Sequence, residues 1–129
     1  MTAIPRFTLS SVVIDCPDAR TLADFYRALL GWEERASEPD WVHLRSPDGR
    51  LGLSLQSEAG YVAPTWPETP GAQQKMIHLD LRVDDLDAAT RRALALGATL
   101  PAVRQDGGDT RVLRDPAGHP LCLFLDAVE

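Results

Sequence analysis

The 129-residue sequence predicts an α+β domain made of two repeated βαβββ modules. Three observations carry that reading. Apolar residues recur at helical spacing in two stretches, Ala19–Leu30 and Asp85–Leu96, each preceded by a short alternating run. Both stretches open on an aspartate suited to capping, Asp18 and Asp85, and close on a glycine, Gly31 and Gly97. The halves also overlay: Ser11, Asp18 and Gly31-Trp32 match His78, Asp85 and Gly97-Ala98, with one residue of slack in the helix. A unit this short cannot bury both faces of its sheet alone, so two must pack together, within the chain or across a dimer.

Taken in order, Ser10–Asp15 reads as a strand closed by the Pro17-Asp18 turn. In the first helix Leu22, Phe25, Tyr26, Leu29 and Leu30 share one face. Three strands follow, Trp32–Ala36, Trp41–Arg45 and Leu51–Gln56, the last two separated by the turn Ser46-Pro-Asp-Gly49. Residues 60–74 are rich in Pro and Gly, lack periodicity and read as a connection. Then come a strand over Lys75–Val83, the second helix, and strands over Thr99–Gln105, Thr110–Arg114 and Leu121–Asp126. The Gly107-Gly108 and Asp115-Pro-Ala-Gly118 turns separate these last strands. One domain therefore spans 1–129, with module one over about 7–58, a linker over 59–74 and module two over about 75–127.

Strand parity locates the functional surface. Ser10, Val12 and Ile14 leave Ser11 and Val13 on the opposite face; Leu51, Leu53 and Leu55 leave Gly52, Ser54 and Gln56. Ile77, Leu79 and Leu81 leave His78 and Asp80, and Leu121, Leu123 and Leu125 leave Cys122 and Phe124. One face of each strand suits burial under the helices. The other, mixing Ser, Gln, His, Asp, Cys and Phe, suits a cavity better than a core.

Bulk properties narrow the function. A net charge of −6 argues against a nucleic-acid partner, which needs a basic face. No apolar run has transmembrane length, and the N-terminus lacks a signal-peptide layout, so a cytoplasmic protein with no membrane partner is expected. Cys16 and Cys122 form no CxxC pair and are expected as free thiols.

In chain order, VVIDCPD, FYRALLGWE, WVHLRSPDG, LSLQ, TWP, IHLDLRVDDLDAA, ALALGA and VLRDPAGHPLCLFL resemble the vicinal-oxygen-chelate superfamily. That superfamily includes glyoxalase I, bleomycin-resistance proteins and ring-cleaving dioxygenases; the better match is its group of small glyoxalase-like domains. The resemblance covers nearly the whole chain. It implies two modules whose curled mixed sheets surround a central cup, where metal-dependent members hold a divalent ion. Their ligands, His or Glu, come from the first and last strands of each module. Carried onto this sequence, the four positions are Ser11, Gln56, His78 and Cys122, of which only His78 is a usual ligand.

A zinc or iron site needs about three good donors, so neither metal nor cofactor is expected. His78 then reads as a cup-wall hydrogen-bonding residue or, with Asp80, as half of an acid–base pair. Asp80 would hold the imidazole in one tautomer or pair with an arginine such as Arg82, itself placed at the rim. The ligand-binding candidates are Ser11, Val13, Ser54, Gln56, Trp66, Cys122 and Phe124. Tyr61 and Trp66 would either lid the cup or anchor the linker. His43 is expected at an exposed or edge position and His119 in a turn. The functional expectation is a metal-independent binder that sequesters or transforms a small organic molecule. A lyase, isomerase or hydrolase using His78 and Asp80 stands beside it, and a divalent-metal enzyme of glyoxalase or dioxygenase type ranks last. Unpaired sheet edges predict a homodimer.

Overall fold

The computed structural model describes residues 4–125. Its elements are β1 (Val12–Cys16), α1 (Ala19–Leu30), β2 (Glu33–Glu38), β3 (Trp41–Arg45), β4 (Gly52–Ser57), β5 (Leu79–Val83), α2 (Leu86–Leu96), β6 (Thr110–Arg114) and β7 (Pro120–Leu125). They form a four-stranded sheet in the order β1-β4-β3-β2 and a three-stranded sheet in the order β5-β7-β6. In each sheet the first strand of the module runs parallel to its last, and the other pairs are antiparallel.

Both helices begin and end where their capping residues stand. The Asp18 carboxylate accepts from the Thr21 amide, and Asp85 from the Ala88 amide at 3.0 Å. Gly31 terminates α1 in the left-handed conformation at φ 71°, donating its amide to the Arg27 carbonyl. The faces these helices bury are the apolar ones: Leu22, Phe25 and Tyr26 of α1, and Leu86 and Ala93 of α2.

Those residues join Ile14, Leu44, Leu55, Leu113, Leu121 and Leu123 in one continuous cluster that spans both modules. The modules thus share a core within the chain. Burying each large apolar side chain contributes about 1.5–3 kcal/mol; α1 covers the first module's sheet, α2 the second's, and the two helices meet. At the seam the fully buried Tyr26 hydroxyl donates to Asp115 at 2.6 Å.

Several boundaries differ from expectation. The strand expected over Thr99–Gln105 shrinks to an isolated bridge between Thr99 and Arg114. Pro101 removes a ladder donor, Leu100 and Val103 face solvent, and Arg104 instead ion-pairs with Asp106. The Lys75–Val83 strand starts only at Leu79, so residues 75–78 are loop and Ile77 is partly exposed. Leu51 precedes β4 and is 60% exposed, so it does not share the buried face of Leu53 and Leu55. Strand β2 starts one residue later and ends two residues later than expected, with a register break between Glu34 and Ala36. Asp126, the expected end of the last strand, lies outside the described residues, as does the end of module two at 127.

Candidate functional site

On the second module's polar face, β5 and β7 place Asp80 opposite Cys122. His78 stands just before β5, with Nε2 3.1 Å from Asp80 Oδ1. One donor atom each from His78, Asp80 and Cys122 fall within 4.8 Å of one another. Trp66 of the linker stacks on the His78 ring, with centroids 5.1 Å apart and planes at 24°. Lys75 Nζ lies 4.7 Å from the Trp66 ring centroid, a cation–π contact that also orders the indole. Arg114 fixes the linker backbone: its guanidinium donates to the carbonyls of Trp66 at 2.8 Å and of Pro64 and Gly118 at 3.2 Å. Burial first, and then the Asp80 carboxylate, push the Cys122 thiol up to about 11. At neutral pH it therefore keeps its proton, leaving an imidazole and a carboxylate as the ready donors.

The first module's polar face carries a separate chain of hydrogen bonds. Ser11 Oγ and Ser54 Oγ are 2.8 Å apart, and Ser54 Oγ is 2.8 Å from His43 Nδ1. His43 Nε2 lies 3.1 Å from Arg45, whose guanidinium can only donate. Nε2 is consequently the acceptor and Nδ1–H donates to Ser54. Ser54 then donates to Ser11, and Ser11 to the Val12 carbonyl at 3.2 Å. Burial, and then Arg45 and Arg35, hold His43 below its ordinary value, which keeps the ring neutral. Trp41 stacks on it at 5.8 Å and 8°. In this tautomer His43 cannot take a proton from Ser54, so the chain orients groups and does not activate a nucleophile.

Two of the four positions carried over from the resemblance are hydrogen-bonded within their own module. His78 and Cys122 belong to the second cluster. Ser11 is bonded to Ser54, and the Gln56 amide donates to Glu58 at 2.8 Å. Holding a divalent ion at His78, Asp80 and Cys122 would require the thiol to lose its proton and His78 to present a ring nitrogen without its hydrogen. Of the four family positions only His78 carries a usual ligand of the metal-dependent members.

A cleft of about 440 Å³ runs along the seam between the modules. Val13 and Asp15 of β1 form one wall, Met76 and Ile77 ahead of β5 the other, and Glu58, Tyr61 and His119 close the end. Tyr61 donates to the Ala117 carbonyl at 2.7 Å, and His119 Nε2 sits 2.6 Å from the Asp15 carbonyl, so that nitrogen carries its hydrogen. His119 therefore clips the second module's turn onto β1, and Tyr61 ties the linker to that turn.

Of the candidates, Val13 lines the cleft. Ser11, Ser54 and Gln56 lie on the first module's polar face, while Trp66, Cys122 and the catalytic candidates His78 and Asp80 form the second cluster. Phe124 is half-buried on β7, opposite Thr110 and Arg82. His43 is corrected: it is half-buried on the inner strand β3, bonded and stacked, because register with Ser54 turns it onto the polar face. Tyr61 anchors the linker. Asp15, Glu58 and His119 escaped sequence reasoning as cleft residues; the alternation of Ser11, Val13 and Asp15 was the available signal for the first of them.

A family model described as a glyoxalase-like domain matches residues 11–124. No curated protein matches the sequence. Solved structures share the fold at low identity. A glyoxalase/bleomycin resistance protein/dioxygenase family enzyme from Burkholderia phytofirmans is 22% identical, covers 92% of this chain and 98% of its own, and has a TM-score of 0.67. A protein from Agrobacterium tumefaciens, solved by solution NMR, gives 20%, 93%, 98% and 0.68. A variant of the fosfomycin resistance protein FosX from Listeria monocytogenes, complexed with Mn(II) and 1S,2S-dihydroxypropylphosphonic acid, gives 16%, 90%, 87% and 0.67.

Proposed function

Because the chain belongs to the glyoxalase-like domain family, we propose that it binds a small organic molecule in the cleft between its modules, without a metal ion. The observation that carries this reading is the cleft itself. Its volume of about 440 Å³ suits a drug-sized molecule, and its wall mixes apolar side chains with a few convergent polar groups. The donors support metal independence: a protonated thiol, a neutral serine and a neutral amide occupy three of the four family positions.

A second reading has its own observation. The 3.1 Å contact between His78 and Asp80, under the Trp66 ring, is the geometry of an oriented imidazole. A carboxylate so placed selects the Nε2–H tautomer and leaves Nδ1 as a base, as a lyase, isomerase or hydrolase would use it.

One preparation tests both. Native mass spectrometry of protein purified gently from its own host is expected to show a bound organic molecule that Val13→Arg displaces and His78→Ala retains. Elemental analysis of untagged protein is expected to show far less than one equivalent of zinc, nickel, manganese or iron, with a thermal midpoint unmoved by EDTA. Stoichiometric metal that vanishes in His78→Ala would overturn the metal-independent reading. A ligand chemically altered by the wild type and left intact by His78→Ala would establish the second.

A further inference from the structure

The cleft between the modules carries two carboxylates, Asp15 and Glu58, and its wall contains neither lysine nor arginine. Among the described residues neither carboxylate has an ion-pair partner. Glu58 receives a hydrogen bond from the neutral Gln56 amide at Oε1. The cations closest in sequence to the cleft segments are committed elsewhere, Lys75 to the Trp66 ring and Arg114 to three linker and turn carbonyls. His119 spends its Nε2 hydrogen on the Asp15 carbonyl, so it does not neutralise the Asp15 carboxylate through that nitrogen. The rest of the wall mixes the neutral amides Gln73 and Gln74 with apolar or polarisable side chains, among them Val13, Tyr61, Met76 and Ile77.

Resting on the cleft reading above, we infer that the occupant is an organic cation: an amine or quaternary ammonium group on an apolar or aromatic body. Two carboxylates lining one concavity, neither with an ion-pair partner among the described residues, attract a positive group and repel an anion of the same shape. The chain's net charge of −6 adds a field of the same sign around the cleft. An aromatic ring and a thioether on the wall favour the polarisable body that such a cation carries. A phosphonate or carboxylate ligand would meet no cationic side chain there.

The test is a matched triplet of probes, 4-phenylbutylamine, 4-phenylbutanol and 4-phenylbutyrate, titrated into the full chain at low salt. Binding is followed by ligand-observed NMR. The amine is expected to bind roughly tenfold tighter than the alcohol, a difference of about 1.4 kcal/mol, and the carboxylate more weakly than either. Asp15→Asn and Glu58→Gln should each remove most of the amine's advantage while leaving the alcohol's affinity unchanged. Raising the salt concentration on unmodified protein should do the same, a readout that survives if either variant folds poorly. Equal affinity for amine and alcohol, or preference for the carboxylate, would overturn the inference and leave the cleft reading standing. Loss of all three probes in Val13→Arg confirms that they report on the cleft. Failure of all three to bind the wild type at millimolar concentration would overturn inference and cleft reading together.

Discussion

Asp115 shows how much one side chain holds at this seam. Its carboxylate is almost fully buried, yet it accepts from the Tyr26 hydroxyl at 2.6 Å and from the amides of Ala117 and His119 at 2.9 and 3.0 Å. Burial pushes the acid up, those donors pull it down, and burial wins. The same burial, with Asp115 opposite, drives the Tyr26 phenol well above its usual value. The two free cysteines make the most testable case. Burial is the largest cause for both Cys16 and Cys122, and each thiol is pushed from 9.0 to about 11. Between those values the unfolded chain gives up its thiol protons while the native one keeps them, so ionisation favours unfolding as pH rises. The thiol contribution is therefore fully present below pH 9 and lost progressively toward 11, at about 2–3 kcal/mol per group. Urea midpoints measured from pH 8 to 11 should fall across that window, and replacing both cysteines by alanine should flatten the fall. At pH 7.5 both thiols should resist Ellman's reagent until denaturant is added. Fast labelling of native protein would contradict the burial argument.

At the scale of elements, the linker is the piece most dependent on distant support. It has no strand of its own beyond a bridge between Thr65 and Gln74, and the Arg114 side chain at the end of β6 holds its carbonyls. The Asp115–Gly118 turn presses against it. Gly118 has φ 92°, and a Cβ there would stand 2.8 Å from the Ala63 Cβ. Gly118→Ala combines left-handed backbone strain with a clash against the linker, so a loss of roughly 1–3 kcal/mol is expected in denaturant melts. Gly108, where an added Cβ meets nothing within 4 Å, is the control: Gly108→Ala should stay within about 0.5 kcal/mol of wild type. Because Gly118 also receives an Arg114 hydrogen bond, its replacement should loosen Trp66 over His78 and change tryptophan emission. Unchanged emission together with full stability would show that the turn does not brace the linker.

At the scale of the whole molecule, β1 ends one sheet and β5 ends the other, so each module presents an edge. Ahead of β1, Ile4, Phe7 and Leu9 are 90%, 93% and 80% exposed, and Met76 beside β5 is 81% exposed. Apolar side chains gathered near open edges mark a surface that association would cover. We therefore expect light scattering to report about twice the 14.1 kDa chain mass, and Phe7→Glu to shift the protein toward monomer. A wild-type monomer at high micromolar concentration would refute this. Among the described residues no helix is long and apolar enough to cross a membrane, in keeping with a sequence that has no such run.

How much of this was legible beforehand depends on the range of the interaction responsible. Helix ends were readable because capping is local: Asp18 and Asp85 reach amides three residues away, and Gly31 and Gly97 tolerate backbone that other residues resist. The buried faces of β4 and β7 were readable because side chains alternate whatever lies beyond them. The strand expected over Thr99–Gln105 failed because its apolar residues had no partner face to meet. His43 was misplaced because only its register with Ser54 turns it inward. By itself the sequence determined two capped helices, the alternating faces of most strands, the repeat that joins them and a net negative charge. The tertiary structure alone decided that Ser11 bonds Ser54, that Cys122 joins His78 and Asp80, and that Asp15, Glu58 and His119 line one cleft at the seam. Those contacts join residues separated by dozens of positions, and their distances depend on how two sheets settle on one shared core, which no local pattern encodes.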